Sequence, residues 1–273
     1  MMPYYTSRGL KLHFEALGDG PPVLLVHGFT NYGLVWTPQA VALAYSGFRV
    51  LMPDLAGHGM SDVAEQETTV SELATDMVAL LDTLGIDRIP VCGLSLGGMI
   101  AQQIAVDHPD RISAMLVANS RAENAGMRPA VEGWIAEFEG QGGPLARLEK
   151  TYPILVNERF RSSPAGEAAL ELWRLVLSRV TGRSLANVAR GMAKFDVAGT
   201  LPKLRIPTLV VSGTEDKLIP SDLSRRTAEL VPGAAFEVIP GAGHISSMDS
   251  TVAFNHLLLR FLSEAKERGG LVG

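Results

Sequence analysis

The nine residues Pro90-Val91-Cys92-Gly93-Leu94-Ser95-Leu96-Gly97-Gly98 constrain this chain more than any other stretch. Their core reads G-x-S-x-G. A short apolar run, Ile89 to Cys92, stands before it, and a helix-compatible run, Leu96 to Asp107, follows and is closed by His108-Pro109. A strand that passes into a helix through one residue forces a sharp turn at Ser95, with unfavourable backbone angles. Side chains at positions 93 and 97 would collide with the adjoining strand or helix, so glycine has a steric reason at both. The turn leaves the Ser95 hydroxyl exposed at the top of a sheet, the arrangement of a nucleophile elbow. The competing explanation is a chance match in a chain of 28 glycines, which leaves the flanking strand and helix unexplained.

The rest of the chain repeats the same rhythm. Tyr4-Tyr5-Thr6 and Leu10 to Leu17 flank Arg8-Gly9 as a β-hairpin, and Val23 to Val26, Arg49 to Met52, Ala114 to Ala118, Thr208 to Ser212 and Phe236 to Ile239 read as short buried strands. Helices are expected within Leu34 to Ser46, around Ser221 to Leu230 and from Thr251 to Ala265. Another opens at the capping box Thr69-x-x-Glu72, keeps helical spacing through Val70, Leu73, Met77, Leu80, Leu81 and Leu84, and ends at Gly85. Apolar strands alternating with amphipathic helices predict an α/β fold: a mainly parallel central sheet with helices on both faces. The interval 121–200 breaks the rhythm, with helical patches, Trp134, Trp173 and glycines at 140, 142 and 143, and is expected to be a helical cap (lid) inserted into a core domain made of 1–120 and 201–273. Those glycines suit a moving cap and an ordinary surface loop equally.

A serine hydroxyl is a poor nucleophile at neutral pH and needs a base, for which histidine is best suited. Of six histidines, His244 stands in the flexible loop Pro240-Gly241-Ala242-Gly243-His244 straight after the last strand. The imidazole needs an acidic partner, and Asp216 in Gly213-Thr214-Glu215-Asp216 follows the preceding strand to the same sheet edge; Glu215 and, more weakly, Asp222 compete for that role. After the strand that follows the nucleophile the chain reads Ala118-Asn119-Ser120, and an amide cannot serve as the anionic partner. An oxyanion needs donors already in place. The backbone N–H groups of Leu96, at a helix N-terminus, and of Phe29, in the loop His27-Gly28-Phe29 after an early strand, have the positions; an ordinary strand-ending turn is the alternative for that loop. Thr30, Asn31, Trp134, Trp173, Ile219 and Ile245, with Phe29 and Leu96, are pocket candidates by position, the two tryptophans being equally suited to core packing. His58 reads as structural, and His13, His108 and His256 as surface or element-end residues.

The bounds are consistent with an enzyme of this kind. A length of 273 residues, 47% apolar and 19% charged, suits one large globular α/β domain. A net charge of −5 without a basic block argues against nucleic acid and membrane surfaces as partners. The lone Cys92 precludes an internal disulfide and reads as packing. No histidine or cysteine spacing suits a metal, and no leader or 18-residue apolar run is evident, so a cytoplasmic protein is expected. Oligomeric state is not legible.

Val26-His27-Gly28-Phe29, the run Asp54 to Asp62, Gly93-Leu94-Ser95-Leu96-Gly97-Gly98, Gly213-Thr214-Glu215-Asp216 and Gly241-Ala242-Gly243-His244 together resemble the α/β-hydrolase superfamily, whose chain order for the triad is Ser…Asp…His. Gly98-Met99-Ile100-Ala101-Gln102 and His108-Pro109-Asp110-Arg111-Ile112, ending in Ala118-Asn119, look most like the 3-oxoadipate enol-lactonase and small carboxylesterase branch. The resemblance implies a serine hydrolase without a cofactor, acting on small-molecule esters or lactones. Hydrolysis of a carbon–carbon bond in a vinylogous diketone is an alternative, for which Arg121, Arg128 or Arg174 in or near the cap would grip an acidic substrate, although the favoured reading of all three is solvated surface charge. Perhydrolysis on the same triad and a ligand receptor on the same fold are others.

Overall fold

The computed structural model of the chain describes residues 3–267; positions 1–2 and 268–273 of the expected core lie outside the described residues. Eight strands form one sheet: β1 (Tyr4–Ser7), β2 (Leu10–Leu17), β3 (Pro22–Val26), β4 (Arg49–Pro53), β5 (Ile89–Leu94), β6 (Ile112–Ala118), β7 (Thr208–Gly213) and β8 (Ala235–Ile239). They lie in the order β1-β2-β4-β3-β5-β6-β7-β8. The pairs β1·β2 and β2·β4 are antiparallel, and every pair from β4 onward is parallel. The first two strands turn through Arg8 and Gly9, both at positive φ, which suits the twist of a tight hairpin.

Successive residues of a strand point to opposite faces, and the sheet uses both. Leu24, Val26, Val91, Met115, Val117 and Val210 face one hydrophobic cluster, whereas Val23, Leu25, Cys92, Leu116, Leu209 and Val211 face the other. The first face is covered by α2 (Val70–Leu84), α3 (Leu96–Asp107) and α9 (Ser221–Leu230), through residues such as Leu73, Met77, Ile100 and Ala228. The second is covered by α1 (Thr37–Tyr45) and α11 (Thr251–Glu267), through Leu43, Phe254 and Leu258. Burial on both faces is why these strands are continuous apolar runs. Cys92 lies in this packing, where burial pushes its thiol up.

Helix α2 begins as its capping box requires: Thr69 N–H donates to Glu72 (2.7 Å) and Glu72 N–H to the Thr69 hydroxyl (3.2 Å). Gly85 ends it in the left-handed region. Between β6 and β7 the described chain is helical, with α4 (Arg128–Glu139), α5 (Gly143–Leu155), α6 (Glu158–Arg161), α7 (Pro164–Leu177) and α8 (Gly182–Met192). A bridge between Glu123 and Asp196 joins the two ends of that segment. A short α10 (Ser246–Asp249) follows the loop after β8. No helix among the described residues is long and apolar enough to cross a membrane.

Candidate active site

The turn between β5 and α3 takes the strained form that its sequence implies. Ser95 has φ 54° and ψ −113°, and its N–H and C=O are both held, the first by the Ala118 carbonyl (2.9 Å) and the second by the Ser120 hydroxyl (2.7 Å). A Cβ at Gly93 would stand 2.0 Å from the Gly97 carbonyl oxygen, and one at Gly97 equally close to that of Val26. Both glycines are therefore set by backbone, which cannot yield as a flexible side chain can.

Loops after β7 and β8 meet beside this turn. His244 Nδ1 lies 2.9 Å and 3.1 Å from the two carboxylate oxygens of Asp216. Asp216 is further held by the N–H groups of Leu218 (2.9 Å) and Ile219 (2.8 Å) and by the Asn119 amide (3.0 Å). Burial pushes the Asp216 carboxyl up, but the facing imidazole and these donors outweigh it and hold the group below the ordinary carboxylate value. An ionised Asp216 makes Nδ1 the protonated nitrogen of a neutral His244, which leaves a lone pair on Nε2. Glu215 and Asp222 are exposed, and the carboxylate bonded to His244 is that of Asp216. Asn119, whose amide cannot serve as an anionic partner, takes a supporting place in the structure: it donates to Asp216 and to the Gly243 carbonyl (3.2 Å) and accepts from the Ser246 hydroxyl (2.5 Å).

Ser95 and His244 line one cavity of about 490 Å³, a size common for small-molecule sites. Among the described residues no hydrogen bond joins the Ser95 hydroxyl to His244, and such contacts often tighten only with substrate bound. Phe29, Thr30, Asn31, Trp134, Trp173, Ile219 and Ile245 all line it. Leu96 does not: its side chain is packed in the core, so only its backbone, at the first position of α3, is available to a ligand. Trp173 joins the two roles that its sequence position left open. It is 1% exposed and donates from Nε1 to the Thr30 carbonyl (2.6 Å), yet borders the cavity. Trp134 stacks on Phe29 under the Arg147 guanidinium. Of Arg121, Arg128 and Arg174, Arg121 corrects the surface-charge reading: it is buried and lines the cavity, because the segment after β6 turns in beside Ser95. Arg128 is exposed, and Arg174 is bound to Glu149 and Glu171 away from it.

Two buried histidines fix the loop that carries Phe29. His27 Nε2 accepts from the Leu55 N–H (3.1 Å) and His58 Nε2 from the Thr30 N–H (3.2 Å), so each carries its proton on Nδ1, facing the carbonyls of Gly28 and Ala56. His13 is a correction to the sequence reading: it is buried in β2 and bound to Asp54 (2.9 Å), because Asp54 needs a partner while it holds the Gly33 and Met60 N–H groups. Burial pushes His58 down to about 3 and also lowers His27. In the unfolded chain both would titrate near 6.5. Between that value and the folded one the unfolded state binds more protons, so stability is expected to fall as pH drops below about 6.5. His13, raised chiefly by its bond to Asp54, acts in the opposite sense and loses its contribution as pH rises through its folded value. Urea unfolding of wild type and His58→Gln at pH 7.5 and 5 checks this: the variant should lose a large part of the decline on acidification.

The sequence model of the alpha/beta hydrolase fold matches residues 21–165 and 166–251. RutD of Variovorax paradoxus, named provisionally as a carbamate hydrolase, is 29% identical over 265 residues, covering 95% of this chain and 99% of that protein. 3-Oxoadipate enol-lactonase 1 of Acinetobacter baylyi is 31% identical over 259 residues, 94% of each chain. The solved structure of a thermophilic esterase from Thermogutta terrifontis superposes with a TM-score of 0.86 at 32% identity, covering 97% of both chains.

Proposed function

The chain belongs to the alpha/beta hydrolase fold family, and from that premise we propose that it hydrolyses carboxylic esters or lactones of small molecules through an acyl-enzyme on Ser95, His244 and Asp216. The observation that carries the reading is the buried, ionised Asp216 bonded to His244 Nδ1, with the free Nε2 lone pair in the same cavity as Ser95. Ser95 Oγ attacks the carbonyl carbon while its proton passes to His244 Nε2. Negative charge develops on the carbonyl oxygen, where the N–H groups of Phe29 and Leu96 receive it; one such donor is worth roughly 3 kcal/mol in the transition state. As the tetrahedral species collapses, the leaving alkoxide takes the proton from Nε2. A water then gives its proton to Nε2 and attacks the acyl carbon, releasing the acid and restoring Ser95. In a lactone the leaving oxygen stays tethered to the acyl group.

Residues 121–200 serve in this reading as the cap over a core of 1–120 and 201–273, and Trp134, Trp173, Ile219 and Ile245 shape the acyl site. A carbamate would meet the same groups with a carbonyl that bears nitrogen, its C–O bond breaking to release an alkoxide and leave a carbamoyl-enzyme that water then cleaves; the name of one relative makes this a second substrate class. Release of p-nitrophenol from esters running from acetate to octanoate, with an enol-lactone, a carbamate and a vinylogous diketone alongside, tests the assignment. The expected result is turnover of ester or lactone with an optimum at short to medium chains, set by a cavity of about 490 Å³. Turnover of the carbamate or diketone alone would overturn it, as would tight binding of these compounds with no turnover.

A further inference from the structure

Arg121 is the charged group in the cavity whose partner the protein does not supply. It stands three residues beyond the end of β6, on the sheet edge that also carries Ser95 and Asp216. Its backbone is fixed: the carbonyl accepts from Gln102 Nε2 (3.1 Å), and the preceding carbonyl, of Ser120, accepts from the Ser224 hydroxyl (3.0 Å). The residue is only 9% exposed. Its Nε is fully enclosed and has no hydrogen-bond partner, and among the described residues no carboxylate comes within ion-pair distance of the guanidinium. Burial disfavours the charged form, and the field of Asp216 offsets this in part; but Asp216 is already engaged by His244, Asn119 and two backbone N–H groups.

The other charges at the cavity are matched differently. Arg147 and Lys150 both bind Glu137, the one carboxylate among its lining residues. On its outer side Arg121 borders a hollow of about 160 Å³, where Glu123 is paired with Arg226 (4.0 Å). A buried guanidinium without a counter-charge is unfavourable by itself, because desolvation is not repaid by attraction. It becomes favourable when a ligand brings a carboxylate, which a guanidinium can bind through two parallel N–H···O bonds. An apolar residue at 121 would serve an enzyme of neutral esters better.

We propose that Arg121 is a specificity-determining residue that binds a carboxylate of the substrate, so that the preferred substrates are esters or lactones carrying a free carboxylate on the acyl portion. The inference rests on the ester-hydrolase reading for its chemistry, but the anion site can be tested without turnover. The mono-p-nitrophenyl ester of glutaric acid and its neutral methyl diester differ by one charge. Wild type should favour the acid in kcat/KM by roughly 10- to 100-fold, as expected for a desolvated charge pair. Arg121→Gln should bring that ratio close to one, chiefly through KM, and Arg121→Lys should keep part of it. Glutarate should inhibit wild type competitively, and calorimetry should detect its binding to Ser95→Ala and lose it in Ser95→Ala with Arg121→Gln.

An acid-to-neutral ratio near one in wild type overturns the proposal while leaving the ester reading intact. So does an unchanged ratio in both Arg121 variants, or glutarate binding that does not compete with the ester. Failure to hydrolyse either ester, with glutarate still bound through Arg121, removes the ester reading and keeps the anion site.

Discussion

Replacing Ser95 by alanine is expected to reduce kcat on any ester or lactone turned over by the wild type by roughly 10⁴- to 10⁶-fold, with no loss of folded structure. The size of the effect follows from the proposed mechanism, in which no acyl-enzyme forms without Oγ and what remains is the assistance that the proposed oxyanion donors give to direct attack by water. The fold should tolerate the change because the strain at position 95 is borne by the backbone. Alanine meets the same φ of 54° as serine, and the hydrogen bonds that fix the turn come from the Ser95 N–H and C=O. Purified Ser95→Ala should show the wild-type circular dichroism spectrum and an unfolding free energy in urea within about 1 kcal/mol of wild type. Activity within tenfold of wild type in a folded variant would dismiss the acyl-enzyme.

Asp216→Asn should lower kcat by about 10⁴-fold, the magnitude measured when the acid of such a triad becomes an amide. Here the surroundings dictate why. One carboxylate oxygen accepts from Leu218 and Ile219, and the other faces two donors, Asn119 Nδ2 and His244 Nδ1. An asparagine that keeps its oxygen toward the two backbone N–H groups must present its NH₂ to His244. The imidazole then moves its proton to Nε2 and can no longer accept one from Ser95. Asn119 cannot turn its own oxygen to relieve the crowding without abandoning Ser246. Steady-state kinetics on a p-nitrophenyl ester read the effect directly. A loss below tenfold would move the acid role away from Asp216.

Glu215 and Asp216 show how far sequence reasoning reaches at this site. Both follow β7, both carry a carboxylate, and position in the chain does not separate them. The separation comes from the turn itself: the N–H groups of Leu218 and Ile219 point back at residue 216 and bury it, while residue 215 is left facing solvent. Asn119 is similar. Its amide is visible in the sequence, but its use depends on β6, β7 and the loop after β8 ending at one edge of the sheet. The burial of His13 is not legible in the sequence, because period-2 alternation shows which face a residue takes and not that Asp54, forty-one positions away, stands there needing a partner.

What the chain determines by itself is whatever depends on near neighbours. The glycines at 93 and 97, the capping box at Thr69 and Glu72, the Arg8-Gly9 turn and the apolar runs are all local demands of sterics and periodicity, and they suffice for an alternating α/β sheet with a sharp turn at Ser95. Tertiary structure alone decided which acid meets His244, that Trp173 is both buried and at the cavity wall, that Leu96 offers only its backbone, and that Arg121 is enclosed without a counter-ion. These depend on how segments far apart in sequence come together: the loops after β7 and β8 bring Asp216 to His244, α3 packs Leu96 into the core, and α7 brings Trp173 to the Thr30 carbonyl at the cavity wall; burial of a charge or of one of two adjacent carboxylates has no signature until that packing exists.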